Sequence, residues 1–147
     1  MRLVVDTNIL VSELLRERGQ ALIASPLLEL YVTERAWAET QYEVRKRAAI
    51  VERQGRIAPG TGDALAAAAI VAITTHVRQV PAETYAARET DARSRIPRDP
   101  DDWPTVAAAL ILDASIWTRG NDFLGCGLPT WTTATLIAYL QTATATD

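Results

Sequence analysis

Leu3, Val4 and Val5 form an unbroken apolar run that stops at Asp6, the pattern of a strand buried on both faces in the interior of a parallel sheet. Parallel strands are joined by crossovers, usually helical, so such a start commits the chain to alternating strands and helices. The rest of the sequence supplies them. NILVSELLRERG carries Leu10, Leu14 and Leu15 at helical spacing and is expected to stop at Gly19. A short helix is expected from Ala21 to Ser25, before Pro26, and a second strand over LELYV (28–32), ending where Thr33 can cap the next helix. From Glu34 to about Gln54 the chain lacks Pro and Gly and keeps Trp37, Val44, Ala48 and Val51 on one stripe, which predicts a long amphipathic helix. Further helices are predicted over 63–74, 81–95, 105–113 and 134–140, with strands at 77–80, 115–118 and 130–132. The expected fold is three-layer α/β with a mainly parallel sheet of about five strands.

The 147 residues are 48% hydrophobic and 22% charged, enough for one self-supporting core, and the expected division is a single domain over 1–140 with a short polar tail at 141–147. Cys126 is the only cysteine, so no intrachain disulfide forms, and the apolar start is too short and too soon charged to act as a signal peptide. The longest Ala-rich stretch, 64–73, falls short of the roughly 20 residues that span a bilayer. The expectation is a cytoplasmic protein with no membrane segment.

Eighteen acidic and fifteen basic side chains give a net charge of −3, unevenly spread: residues 45–98 hold ten basic and five acidic groups. Arg45, Lys46 and Arg47 on the long helix are the first of this basic stretch and the candidates for contact with a nucleic-acid backbone. The acids gather elsewhere. In a parallel α/β sheet, ligands collect beyond the C-terminal ends of the strands. Asp6 follows the first strand, Asp122 comes shortly after the fourth, and IPRDPDDWP (96–104) crowds Asp99, Asp101 and Asp102 before a helix. Glu39 and Glu43 share a helical face, about 9 and 15 Å from Thr33 at 1.5 Å rise per residue, so Glu39 reaches the strand end more easily. Asp6 and the 99–102 cluster could equally be helix caps. Grouped carboxylates repel one another unless a proton or cation joins them, and hard oxygen donors suit Mg²⁺ or Mn²⁺.

Other chemistries find little support. His76 is the only histidine, which removes His-based triads and His-rich zinc sites. GRIAPGTGDA lacks the lysine of a phosphate-binding loop. An aspartate-nucleophile phosphatase needs a second acid at position 8, where Asn8 stands. Trp37, Trp103, Trp117 and Trp131 are expected mainly in the core.

Four segments in order complete the pattern: VVDTNILV (4–11), VTERAWAE (32–39), DPDDWPTVAAAL (99–110) and WTRGNDFLGCGLPTWTT (117–133). Together they make the chain resemble a PIN domain, the fold of metal-dependent ribonucleases that include the VapC-type toxins, over Arg2 to about Leu140. The resemblance implies a site of Asp6, Glu39, Asp102 and Asp122 holding Mg²⁺ or Mn²⁺, with Thr7, Asn8, Thr118 and Asn121 in support. It implies hydrolysis of RNA phosphodiester bonds by metal-bound water. It further implies the toxin of a type II toxin–antitoxin pair, a homodimer, and a small antitoxin partner covering the acids. One position departs from the family pattern: Gly120 stands where many relatives carry an acid or amide. That departure motivates the alternative of a decayed PIN-like module that binds RNA or protein without cutting.

Overall fold

The computed structural model describes residues 1–145. Apolar runs become strands where predicted: β1 (Arg2–Val5), β2 (Glu29–Thr33), β3 (Val77–Val80), β4 (Ser115–Trp117) and β5 (Thr130–Trp131). The sheet order is β3-β2-β1-β4-β5 and every pairing is parallel, with Leu3 opposite Leu30 on one side of β1 and Val5 opposite Trp117 on the other. The first strand in the sequence is therefore the central one, and the chain leaves it first toward β2 and later toward β4. That reversal of direction opens a crevice beyond the C-terminal end of β1, where α/β sheets bind ligands.

Helices cover both faces. Leu3, Val5, Leu30, Val32 and Trp117 join one core with α1 (Thr7–Glu13), α2 (Glu17–Ile23), α3 (Glu34–Arg53), α4 (Gly62–His76) and α8 (Thr133–Ala145). Val4, Val80 and Ile116 point the other way, into a second core with α5 (Ala82–Tyr85), α6 (Glu89–Arg95) and α7 (Trp103–Leu112). This two-sided alternation makes the three layers that the buried strand runs require. On α7, Val106 and three successive alanines, Ala107, Ala108 and Ala109, are wholly buried, small enough for the helix to lie close against the strands. Asp113, in the left-handed region at φ 49°, ends α7 and returns the chain to β4.

Three local expectations are corrected. The first helix does not run to Gly19; it ends at Glu13, and Gly19 lies inside α2. Gly19 is there for close approach: a Cβ at this position would lie 2.1 Å from the Glu13 carbonyl oxygen. The helix expected over 81–95 is broken by a 3-10 turn at Ala86–Arg88, whose exposed side chains bury nothing that would hold a straight helix between Tyr85 and Ala92. The closing helix α8 continues past Leu140 to Ala145, so the polar stretch expected at 141–147 is helical as far as it is described, its last two residues lying outside the described ones. Among the described residues no helix is long and apolar enough to cross a membrane.

Candidate active site

Asp6 stands at the end of the central strand, and its amide extends the ladder by donating to the Trp117 carbonyl at 3.0 Å. The residue occupies the N-cap position of α1, yet its side chain makes no cap hydrogen bond. Instead its Oδ2 accepts from the Thr118 hydroxyl at 3.2 Å, across the β1–β4 crevice. The capping alternative open to the sequence is thus not the one the side chain takes.

Glu39 comes from α3. Thr33 caps that helix by accepting from the Ala36 amide at 3.1 Å, fixing its start at the end of β2. Thr7, the residue after Asp6, then donates its hydroxyl to Glu39 Oε2 at 3.2 Å. Glu43 faces a different depression, with Lys46, Arg47 and Arg56, so the geometry brings Glu39 to Asp6's neighbour and leaves Glu43 aside. Asp102 ends the 3-10 turn Pro100–Asp102 that leads into α7.

These groups feel one another. The Asp6 carboxyl is pushed up from its ordinary 3.8 to about 6, first by burial and then by Asp102 and Asp122, with the Thr118 hydroxyl and the Thr7 amide opposing the rise. Asp102 is also pushed up to about 6, first by burial, then by Asp99, Asp122 and Glu39, with Arg35 opposing. Asp6, Glu39 and Asp102 line a cleft of about 30 Å³, together with Thr7 and Arg35, space for about two water-sized groups. Asp122 is exposed and does not line the cleft, but its charge raises both aspartates. Among the described residues no three Asp, Glu, His or Cys side chains close into a group that could hold a metal ion as they stand. The donor chemistry nevertheless suits one: carboxylate and hydroxyl oxygens outnumber the single Arg35 guanidinium in the lining, and such hard oxygen donors are what Mg²⁺ or Mn²⁺ takes.

Asn8 and Asn121 are exposed nearby, and neither side chain is hydrogen-bonded to the acids. Gly120 has room: a Cβ there would sit 3.6 Å from Asp122 Oδ2, an ordinary contact. Arg45, Lys46 and Arg47 are exposed on α3 and none lines the acid cleft; Arg45 and Lys46 border a roomier groove with Trp37 and Tyr42. That groove holds no cluster of carboxylates; the acids gather in the smaller cleft.

Two arginines invisible to pattern reading hold the acidic loop in place. Arg93 on α6 donates to the Pro100 carbonyl at 3.2 Å, to Asp101 Oδ1 at 3.4 Å and to Glu89 at 2.9 Å. Its guanidinium also lies 5.6 Å over the Trp103 ring, and Trp103 packs edge-on against Tyr85. Arg35 donates to the Asp101 carbonyl at 3.1 Å from the opposite side. Arg93→Met is expected to loosen this loop: amide exchange at 99–103 should rise several-fold while the strands stay protected, and Arg93→Lys, lacking the planar fork, should restore only part of the protection. Unchanged exchange in both variants would remove Arg93 from this role.

A family profile for the PIN domain matches residues 4–141. Solved structures with the same fold include a toxin–antitoxin complex from Klebsiella pneumoniae (23% identity, TM-score 0.54, covering 83% of this chain and 90% of that one). VapBC2 from Rickettsia felis, bound to a DNA fragment from its promoter, is 14% identical with a TM-score of 0.62, covering 90% of this chain and 98% of that one. FitAcB from Neisseria gonorrhoeae is 21% identical with a TM-score of 0.55, covering 88% and 96%. No curated protein sequence matches the chain. On the profile match over nearly its whole length, and on the parallel five-stranded sheet it shares with these structures, the chain belongs to the PIN domain family.

Proposed function

We propose that the chain is a Mg²⁺- or Mn²⁺-dependent endoribonuclease and the toxin of a toxin–antitoxin pair, its activity residing in a single domain over residues 1–140. One observation supports this most: Asp6 and Asp102, 96 positions apart, are both pushed up to about 6 by burial and by neighbouring acids around one cleft. Aspartates gathered this way work against stability unless a cation joins them, which favours a functional reason for their grouping.

When bound, the divalent ion supplies a water of lowered pKa and neutralises charge developing on the scissile phosphate. Asp6, Glu39, Asp102 and Asp122 would hold it. Thr118 fixes the rotamer of Asp6 and Thr7 that of Glu39, each through one hydroxyl donor. Asn8 and Asn121 present free amides beside the cleft, suited to phosphate oxygens. Arg45, Lys46 and Arg47, set back along α3, offer salt-sensitive contacts to RNA on either side of the cut. One structural neighbour, from Klebsiella pneumoniae, is named as a toxin–antitoxin complex, which supports a small antitoxin partner here. A homodimer and a cytoplasmic site of action complete the reading.

The competing reading, a PIN-like module that binds without cutting, draws on Gly120 and on acids that do not close into a metal-holding group. One experiment separates them. Purified protein is incubated with total cellular RNA and Mg²⁺, Mn²⁺ or excess chelator. Cleavage with either metal that chelator abolishes is the expected result. Intact RNA under every condition, from folded protein free of a copurified partner, would favour the binding module.

A further inference from the structure

Glu13, the last residue of α1, is only 4% exposed. Gly19 packs against its backbone and Cβ from above. Its carboxylate is poorly matched: Oε1 accepts from Arg18 at a long 3.5 Å, and that guanidinium is itself 58% exposed. Oε2 accepts from nothing, and among the described residues it is the one buried side-chain oxygen or nitrogen with no hydrogen-bond partner. Leaving a charged acceptor bare in a protein interior is costly, so an oxygen of this kind points to a donor that arrives from outside.

The surroundings indicate what kind. Glu13 forms part of the wall of a cavity of about 230 Å³ between α1 and the turn from β5 into α8, whose other walls include Arg16, Arg18, Arg119 and Thr133. This is below the roughly 300–1,000 Å³ of drug-sized sites and suits a single ring system. Thr133 accepts from the Trp117 indole at 3.2 Å and so keeps its own O–H for a ligand. The cavity therefore combines one buried acceptor, one free hydroxyl donor and three cations. It also shares two elements with the acid cleft. Helix α1 starts one residue after Asp6 and is about 10 Å long, and Arg119 directly follows Thr118, which holds Asp6. A strand lying across Asp6 would carry a nearby nucleotide into this cavity.

We propose that the cavity is a base-reading subsite that takes guanine from the RNA strand, Glu13 accepting from the ring N1–H and the exocyclic N2–H while Arg16 and Arg119 hold adjoining phosphates. The proposal rests on the nuclease reading above. Guanine is singled out by its edge. Adenine and cytosine pair one amino donor with a ring acceptor that a carboxylate repels, and uracil flanks its single N–H with two carbonyls. Only guanine sets two donors side by side, and single-stranded RNA is commonly read on such exposed edges. Arg18 stands at the mouth, and displacing its long contact to Oε1 frees the Glu13 side chain to turn its sealed Oε2 toward the base edge.

The test uses the intact chain with Mn²⁺ and three labelled single-stranded oligouridine probes that carry one central guanosine, inosine or adenosine and cannot pair with themselves. Inosine keeps N1–H and loses only the exocyclic donor. The guanosine probe is expected to show a KM about tenfold below the other two, and Glu13→Gln to erase that difference. Arg119→Ala should raise KM for all three alike and reduce the salt dependence by about one counterion. If Glu13→Gln does not fold, the guanosine–inosine comparison on the unaltered chain decides by itself. Cleavage indifferent to the base, or a guanine preference that survives Glu13→Gln, overturns the subsite and leaves the nuclease reading standing. Failure to cut any probe with Mn²⁺ or Mg²⁺ overturns both.

Discussion

Asp6→Asn and Asp102→Asn are each expected to lower RNA cleavage by about a thousandfold or more while the protein stays folded. Asparagine keeps the shape of the side chain and one carbonyl oxygen, but it removes the charge that a divalent ion needs. The variants should also differ from the unaltered chain in how stability depends on pH. Both carboxyls titrate near 6 in the folded chain against an ordinary 3.8, so between these values the folded state holds more protons than the unfolded one. Stability without divalent ions should therefore fall as pH rises from about 4 to 6. Each substitution removes part of that slope, so at pH 7 the metal-free variants should melt no lower than the unaltered protein. Mn²⁺ should raise the melting temperature of the unaltered chain and leave that of Asp6→Asn nearly unmoved. Below about pH 6 protons compete with the ion, and both metal affinity and cleavage should decline. Melting curves across pH with and without Mn²⁺, beside a cleavage assay, check all of this. Full activity in either variant would refute the assignment of that carboxylate.

The second large effect concerns Gly19→Ala, where two arguments oppose each other. Helix propensity favours alanine over glycine by about 1 kcal/mol in a helix interior, so the substitution inside α2 would ordinarily stabilise. The added Cβ, however, would lie 2.1 Å from the Glu13 carbonyl oxygen and 2.5 Å from its Cβ, contacts that only a backbone shift relieves. Overpacking against main chain outweighs propensity, and a net loss of about 3 kcal/mol is expected, seen as a melting temperature lower by roughly 10 °C. Gly120→Ala is the control, since its new Cβ meets nothing closer than 3.6 Å, and it should change stability by no more than about 0.5 kcal/mol. Equal melting temperatures for the two variants would show that α2 is free to move away from α1.

Gly19 marks the point where sequence reasoning stops. Strands were legible because a parallel sheet buries both faces, so Leu3, Val4 and Val5 carry no polar interruption, and Asp6 marks their end. Helix α3 was legible from its stripe and from Thr33, which caps it as expected. The preference for Glu39 over Glu43 rested on helical rise, and the Thr7 hydroxyl supplies the contact behind it. Gly19, in contrast, looks like a helix end because glycine often is one, whereas its role here is set by a neighbour six residues back. Arg93 and Arg35 look like solvated charges on helices until the fold brings Pro100 and Asp101 to them. Glu13 reads as one more polar residue on an amphipathic helix, and only the packing of α2 over it reveals an oxygen with no partner. What pattern reading misses in each case is a contact between elements, which no local spacing encodes.

The sheet order has a consequence for how such a chain comes into being. Strand β1 is synthesised first, but its second edge is closed only by β4, at Ser115–Trp117. Until that stretch has left the ribosome, the nascent chain carries Asp6, Glu39 and Asp102 without the Thr118 hydroxyl that aims Asp6, and with the middle of its sheet half paired. The acid cleft is thus complete only once β4 has paired with β1, since a chain that still lacks Thr118 lacks the hydroxyl that aims Asp6. The topology acts as a timer, tying completion of the cleft to the pairing of a strand that comes late in the sequence.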